Sequence, residues 1–183
     1  MNYKLVDNRI EFTDEKLTEN STNMISVIST YKFTKYMEQM PDGISILRSN
    51  ETRYTKLDVK NKYLQGVIYM PSKKDIFNHT RFGYLIFNRN ILFIDSSDTV
   101  INIIEQLRHS SIDMPTIWKF YYHFLNMLID RDLLYLQDIE NSLSTFENNL
   151  LDGGIDEYNQ RDIIYIRKKL FNQYRFYTQL FEI

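Results

Sequence analysis

The side chains most capable of chemistry in this chain are the carboxylates of its C-terminal third. Asp130, Asp132, Asp138, Glu140, Glu147, Asp152, Asp156, Glu157 and Asp162 follow one another with only Arg131 and Arg161 between them as opposing charges. Hard divalent cations prefer oxygen ligands and keep much of their water, so dispersed carboxylates suit weak, screened cation binding. The same residues also read as a solvated face that keeps a long helix in water, and composition does not separate the two.

Other chemistry finds little material. His79, His109 and His123 are scattered, and His123 sits among aromatic residues, where packing is its expected role. No HExxH, glycine-rich phosphate loop or GxSxG occurs. Ser96-Ser97-Asp98 reads as a helix-capping loop rather than a nucleophile elbow. There is no cysteine, which rules out disulfides, thiolate metal sites and cysteine nucleophiles. The sequence predicts no enzyme and no catalytic residue.

Charge sets further bounds. With 22 basic and 24 acidic residues the formal net charge is −2, which does not fit a nucleic-acid binder. The short basic clusters, Lys73-Lys74 and Arg167-Lys168-Lys169, read as solvated surface. The opening MNYKLVDNRIEFTDEK lacks the apolar stretch of a signal peptide, and no window approaches the ~20 apolar residues of a membrane span. As it stands, the sequence predicts a soluble chain.

The elements that must position the acids fall into two parts. Residues 1–113 read as a mixed α and β layer, with β-branched runs at Met24 to Ile28, Ile44 to Leu47 and Val67 to Met70, the last bounded by Gly66 and Pro71. In FGYLIFNRNILFIDSS, the runs Tyr84 to Phe87 and Ile91 to Ile94 flank Asn88-Arg89-Asn90, which predicts a tight hairpin. Both runs are nearly continuous, so the hairpin should be central and covered on both faces. A helix is expected over Tyr31 to Met40, ended by Pro41-Asp42-Gly43. Another should start at an Asp98 N-cap, with Ile101, Ile104 and Leu107 on one face.

Residues 114–183 read as a long helical hairpin. Pro115 suits a first helical turn, and no proline or glycine follows until Gly153, which predicts one helix of about 37 residues. Leu136, Ile139, Leu143, Phe146 and Leu150 form its seam. A turn near 152–156, at Gly153-Gly154, reverses the chain into a second helix from about Asp156, with Ile163, Ile166, Leu170, Tyr174, Tyr177 and Phe181 on one stripe. Two long helices so joined should pack antiparallel. The predicted class is α+β, layered α/β/α: a mixed sheet flanked by helices, then two long antiparallel helices.

The stretch NMLIDRDLLYLQDIENSLSTFENNLL resembles the first long cytoplasmic helix of CorA-family magnesium transporters. The family's pattern falls on Leu128, Ile129 and Asp130, then Ile139-Glu140, then Phe146-Glu147, with Leu143 and Leu151 at apolar positions. FGYLIFNRNILFIDSS is similar to the family's strand hairpin, KYLQGVIYMP to the strand before it, and IRKKLFNQYRFYTQL to the second long helix. Asn126 departs from a frequent aspartate, and Thr178-Gln179 from a common proline.

The resemblance implies the cytoplasmic domain of a homopentamer that senses intracellular Mg2+. It places the stalk, the two membrane helices and the Gly-Met-Asn signature beyond Ile183. It fixes neither the metal ligands nor the transported ion, which could be magnesium, cobalt, nickel or zinc. A soluble coiled-coil scaffold with no transport role stays open as the alternative, and an exposed apolar stripe on the hairpin would mark it.

Overall fold

A computed structural model describes residues 1–18, 20–37, 54–130, 132–153 and 157–183. The strands are β1 (Asn2–Val6), β2 (Arg9–Phe12), β3 (Met24–Ile28), β4 (Lys56–Val59), β5 (Tyr63–Pro71), β6 (His79–Phe87) and β7 (Asn90–Ile94). They form a seven-stranded sheet in the order β2-β1-β3-β7-β6-β5-β4. Only the β3–β7 pair is parallel, so the sheet is mixed. The helices are α1 (Thr30–Met37), α2 (Thr99–His109), α3 (Ile117–Leu128), α4 (Asp132–Gly153) and α5 (Glu157–Phe181).

The β6–β7 hairpin is the middle of the sheet, as its continuous apolar runs predict. Phe87 pairs with Asn90, which leaves a two-residue turn of Asn88 and Arg89, both at positive φ. Such a turn twists in the same sense as the strands it joins. Asn90 is therefore not part of the turn but the buried first residue of β7. Its amide donates to the Ser21 carbonyl at 2.7 Å and accepts from the Met24 backbone N–H at 2.9 Å, which locks the entry to β3 against the hairpin.

Every residue of β7 is buried, because the sheet is covered on both faces. On one face Ile91 and Phe93 join Val100, Ile104 and Leu107 of α2, Phe120 and Phe124 of α3, and Phe176 of α5. Rings dominate this layer: Phe93 and Phe124 lie 4.6 Å apart, and Phe82 meets Phe124 edge to face at 5.8 Å. On the other face Leu85, Leu92 and Ile94 pack with Leu17 and with Phe33 of α1. Helices thus flank the sheet on both sides, in the predicted α/β/α arrangement.

Four expectations are corrected. Gly66 does not bound a strand but lies inside β5, where a Cβ would come within 2.4 Å of the Tyr84 ring and hydroxyl. The missing side chain is what admits Tyr84, which is itself packed against Tyr121 at 5.2 Å between ring centres. Asp98 stands at the N-cap of α2 but at φ 60°, and its side chain caps nothing. The capping carboxylate is Asp95, which accepts from the Val100 N–H at 2.8 Å and from the Ser97 N–H at 2.7 Å.

Third, the single helix of about 37 residues is two helices, α3 ending at Leu128 and α4 starting at Asp132, with Ile129 and Asp130 in a turn. Thr116, not Pro115, opens α3, its hydroxyl accepting from the Lys119 N–H at 3.1 Å. Fourth, only part of the predicted α5 stripe faces inward. Tyr177 packs toward the core, whereas Tyr174 and Phe181 are 71% and 94% exposed.

Helix α1 begins where predicted. The Pro41-Asp42-Gly43 turn, the Ile44 to Leu47 run, Gly154 and Asp156 lie outside the described residues.

Two outcomes test this packing. Gly66→Ala should lower the urea-derived unfolding free energy by about 1–3 kcal/mol, the ordinary cost of overpacking. Burial raises the Tyr84 pKa from 10.0 to about 12, so between those values the unfolded chain loses a proton that the folded chain keeps. Stability should therefore fall as pH rises through that window, and Tyr84→Phe should make the fall shallower by about 1.4 kcal/mol per pH unit in an alkaline denaturation series.

Candidate functional site on the helical hairpin

The break between α3 and α4 carries neither proline nor glycine, so its cause is tertiary. Asn126, Met127 and Ile129 carbonyls accept from N–H groups three residues on, which tightens the chain at the end of α3 and again at Asp132. The Asp132 carboxylate then turns into the protein, where it is only 6% exposed. There it pairs with Lys73 from the β5–β6 loop, and it accepts from the Tyr177 hydroxyl of α5 at 2.7 Å. Lys73 also donates to the Asp130 carbonyl at 3.3 Å. Three segments distant in sequence thus meet on one carboxylate. Burial, reinforced by Asp132, raises the Tyr177 pKa and keeps that hydroxyl a donor.

The Tyr177–Asp132 contact also fixes the direction of the hairpin, because it joins the end of α5 to the start of α4. Further along, Lys169 of α5 lies over the rings of Tyr135 on α4 (5.9 Å) and Tyr165 (4.8 Å). The helices are therefore antiparallel, as predicted.

Between them, beside the predicted seam, lies an open groove of about 660 Å³. Ile139 is buried at its base, and Leu136, Leu143 and Phe146 are half-buried. Asp138, Ser142 and Thr145 from α4 and Asp162 from α5 add polar groups to its walls.

The acids of the sequence pattern do not converge. Asp130 lies in the turn before α4, not on a helix. Glu140 and Glu147 are exposed, two helical turns apart. Among the described residues, no group of three or more histidine, aspartate or glutamate side chains could hold a metal ion. The histidines are equally dispersed. His79 stacks on Tyr69, His109 lies beside Glu105, and His123 packs its ring edge against Tyr122 with its pKa lowered by burial and then by Lys119.

Sequence reasoning missed Lys73 and Tyr177. Lys73 was expected to be solvated surface, and no local signal shows that a lysine in a loop has a buried partner 59 positions away.

No protein-family model and no curated protein sequence matches the chain. Solved structures do. The CorA magnesium transporter from Methanocaldococcus jannaschii superposes with a TM-score of 0.71 at 18% identity, over 98% of this chain. The fold is that of CorA. The ZntB cytoplasmic domain from Vibrio parahaemolyticus gives a TM-score of 0.65 at 14% identity, covering 98% of this chain and 74% of that one. Full-length CmaX gives 0.65 at 14% identity over 97% of this chain. The chain spans 59% of the CorA and CmaX chains. Among the described residues of this CorA-like fold, no helix is long and apolar enough to cross a membrane.

Removing one partner from the Asp132 site should be costly, because the other charge stays buried. Lys73→Met should lower unfolding free energy by about 2 kcal/mol, toward the low end because Lys73 is 37% exposed. Lys73→Met combined with Asp132→Leu should recover part of that loss, and a double-mutant cycle in urea measures the coupling.

Proposed function

We propose that the chain is the regulatory, ion-sensing cytoplasmic domain of a CorA-like divalent-cation transport protein, attached to the membrane through helices outside residues 1–183. The observation that carries this reading is the fold likeness along 98% of the chain to a magnesium transporter. In this reading the domain works as a homopentamer, and Mg2+ is held weakly between copies. The exposed carboxylates of α4, Glu140 and Glu147 above all, gather the ion. Neither is ion-paired within the described residues. The dispersal of these acids in one copy favours a shared, hydrated ion over a caged one. Bound ions stabilise one arrangement of the copies by binding it more tightly, and their loss releases it. The site performs no catalysis in this reading.

A second reading, a coiled-coil scaffold without transport, is favoured by one observation. The outer face of α5 does expose an apolar stripe, including Phe171 and Tyr174.

The two readings part on magnesium. A ligand at about ten times its dissociation constant adds about 1.4 kcal/mol of stability, or roughly 3–6 °C for a chain of this length. MgCl2 at 10 mM should therefore raise the melting midpoint by about that much over sodium chloride of equal ionic strength, and Glu140→Gln with Glu147→Gln should remove most of the rise. An identical midpoint in the two salts would remove the ion-sensing role and leave the scaffold.

A further inference from the structure

The connection from β5 to β6 lies against the last third of α5, and the two enclose a pocket of about 330 Å³. Its walls are tied together within the chain. Asn172 of α5 donates from its amide to the Ile76 carbonyl at 3.4 Å. The Ser72 N–H donates to the Asn78 carbonyl at 2.9 Å, and the Asp75 carboxylate accepts from the Phe77 N–H at 2.9 Å and the Asn78 amide at 2.7 Å. At the far end the Gln179 carbonyl oxygen accepts from the Thr55 N–H at 3.0 Å. A pocket whose walls are bonded to each other in this way is formed before anything enters it, and its volume lies within the range of small-molecule sites.

The lining decides what fits. Asn172, Arg175 and Gln179 stand three and four residues apart, so one face of α5 presents all three to the strand ends. Asn78 and His79 add an amide and an imidazole from the other side. Among the described residues that line the pocket there is no aspartate, glutamate or lysine, and the one full charge is the Arg175 guanidinium. Arg175 is half-buried and makes no ion pair within the described residues. It lies over the Tyr54 ring at 5.8 Å, which occupies the face of a guanidinium and leaves its planar edge of N–H donors for an oxyanion. The rest of the lining is apolar: Tyr69 and Pro71 of β5, Ile76 and Phe77 of the loop, and buried Phe176.

We propose that this pocket binds a small organic oxyanion, a carboxylate or a phosphate monoester on a flat apolar body, with the oxyanion on Arg175 and the body against Tyr69 and Phe77. The site needs no cation and no second copy of the chain, so it stands or falls separately from the ion-sensing role.

The probes are phenyl phosphate and benzoate, titrated into the 15N-labelled 183-residue chain in magnesium-free buffer and followed by two-dimensional NMR. At least one should give saturable shifts with a Kd of about 1 mM, as befits a fragment of this size. The tighter of the two names the head group. Shifts should centre on residues 69–79 and 172–179. Benzylamine, of like size and opposite charge, should bind at least about tenfold more weakly, and so should inorganic phosphate, which lacks the apolar body. Arg175→Gln should weaken the tighter anion by about tenfold, and Arg175→Lys, which keeps a cation without the planar fork, by about threefold. Arg167→Gln, on another face of α5, should leave the Kd unchanged. The shift map needs no variant, so a fold altered by Arg175→Gln does not remove the test. No saturable shift with either anion overturns the proposal, as does benzylamine or inorganic phosphate binding equally well. Shifts centred on residues 161–169, or a Kd indifferent to both Arg175 variants, overturn it too, because the anion then sits on the exposed basic surface of α5.

Discussion

A buried carboxylate at the start of a helix has to be answered by a cation and a donor, and here both come from far along the chain. Asp132 takes Lys73 from the loop after β5 and the Tyr177 hydroxyl from α5. The consequences are geometric. The chain has to break after Leu128, so that the aromatic stripe of α3 can lie on the sheet while Asp132 points back into the protein. The end of α5 has to lie beside the start of α4, which sets the hairpin antiparallel. Without this contact the local sequence favours an uninterrupted helix, since neither proline nor glycine occurs between Pro115 and Gly153.

The hairpin so placed has three surfaces of different character. Its outer α4 face is acidic, with Glu140 and Glu147 free of cation partners in the described residues. The cleft between the helices is mixed, with Asp138 and Asp162 near Lys169. The outer α5 face is apolar and basic. The acidic face and the apolar stripe are separate features of the hairpin, one on each helix.

Much of the layer architecture was legible in the residues. The continuous apolar runs around Asn88-Arg89 announce a central hairpin because a strand covered on both faces cannot alternate. The β1–β2 hairpin was equally legible and was not read: Asp7 and Asn8 take positive φ between two alternating strands, a turn those residue types tolerate. What the sequence could not show is long-range. The split between α3 and α4, the exchange of capping duty from Asp98 to Asp95, and the buried pairing of Lys73 all depend on where distant backbone arrives. For the candidate site, the acids themselves were visible but not their fates: Asp132 is structural, while Glu140 and Glu147 face water. The apolar stripe of α5 was visible as well, yet periodicity alone does not say which residues face inward.

The central claim is that Asp132, Lys73 and Tyr177 hold α4 and α5 antiparallel against the sheet. The chain has no cysteine, so spin labels can be attached cleanly at two introduced ones, Asn141→Cys on α4 and Arg167→Cys on α5. Both positions are exposed, and by the Asp132–Tyr177 and Tyr135–Lys169 contacts they lie at a similar level along the antiparallel pair. Pulsed dipolar spectroscopy should give one narrow separation below about 25 Å, from a helix spacing of 8–10 Å plus the label arms, and Lys73→Met should broaden it. A separation beyond about 40 Å, or a distribution that Lys73→Met leaves untouched, would contradict the account.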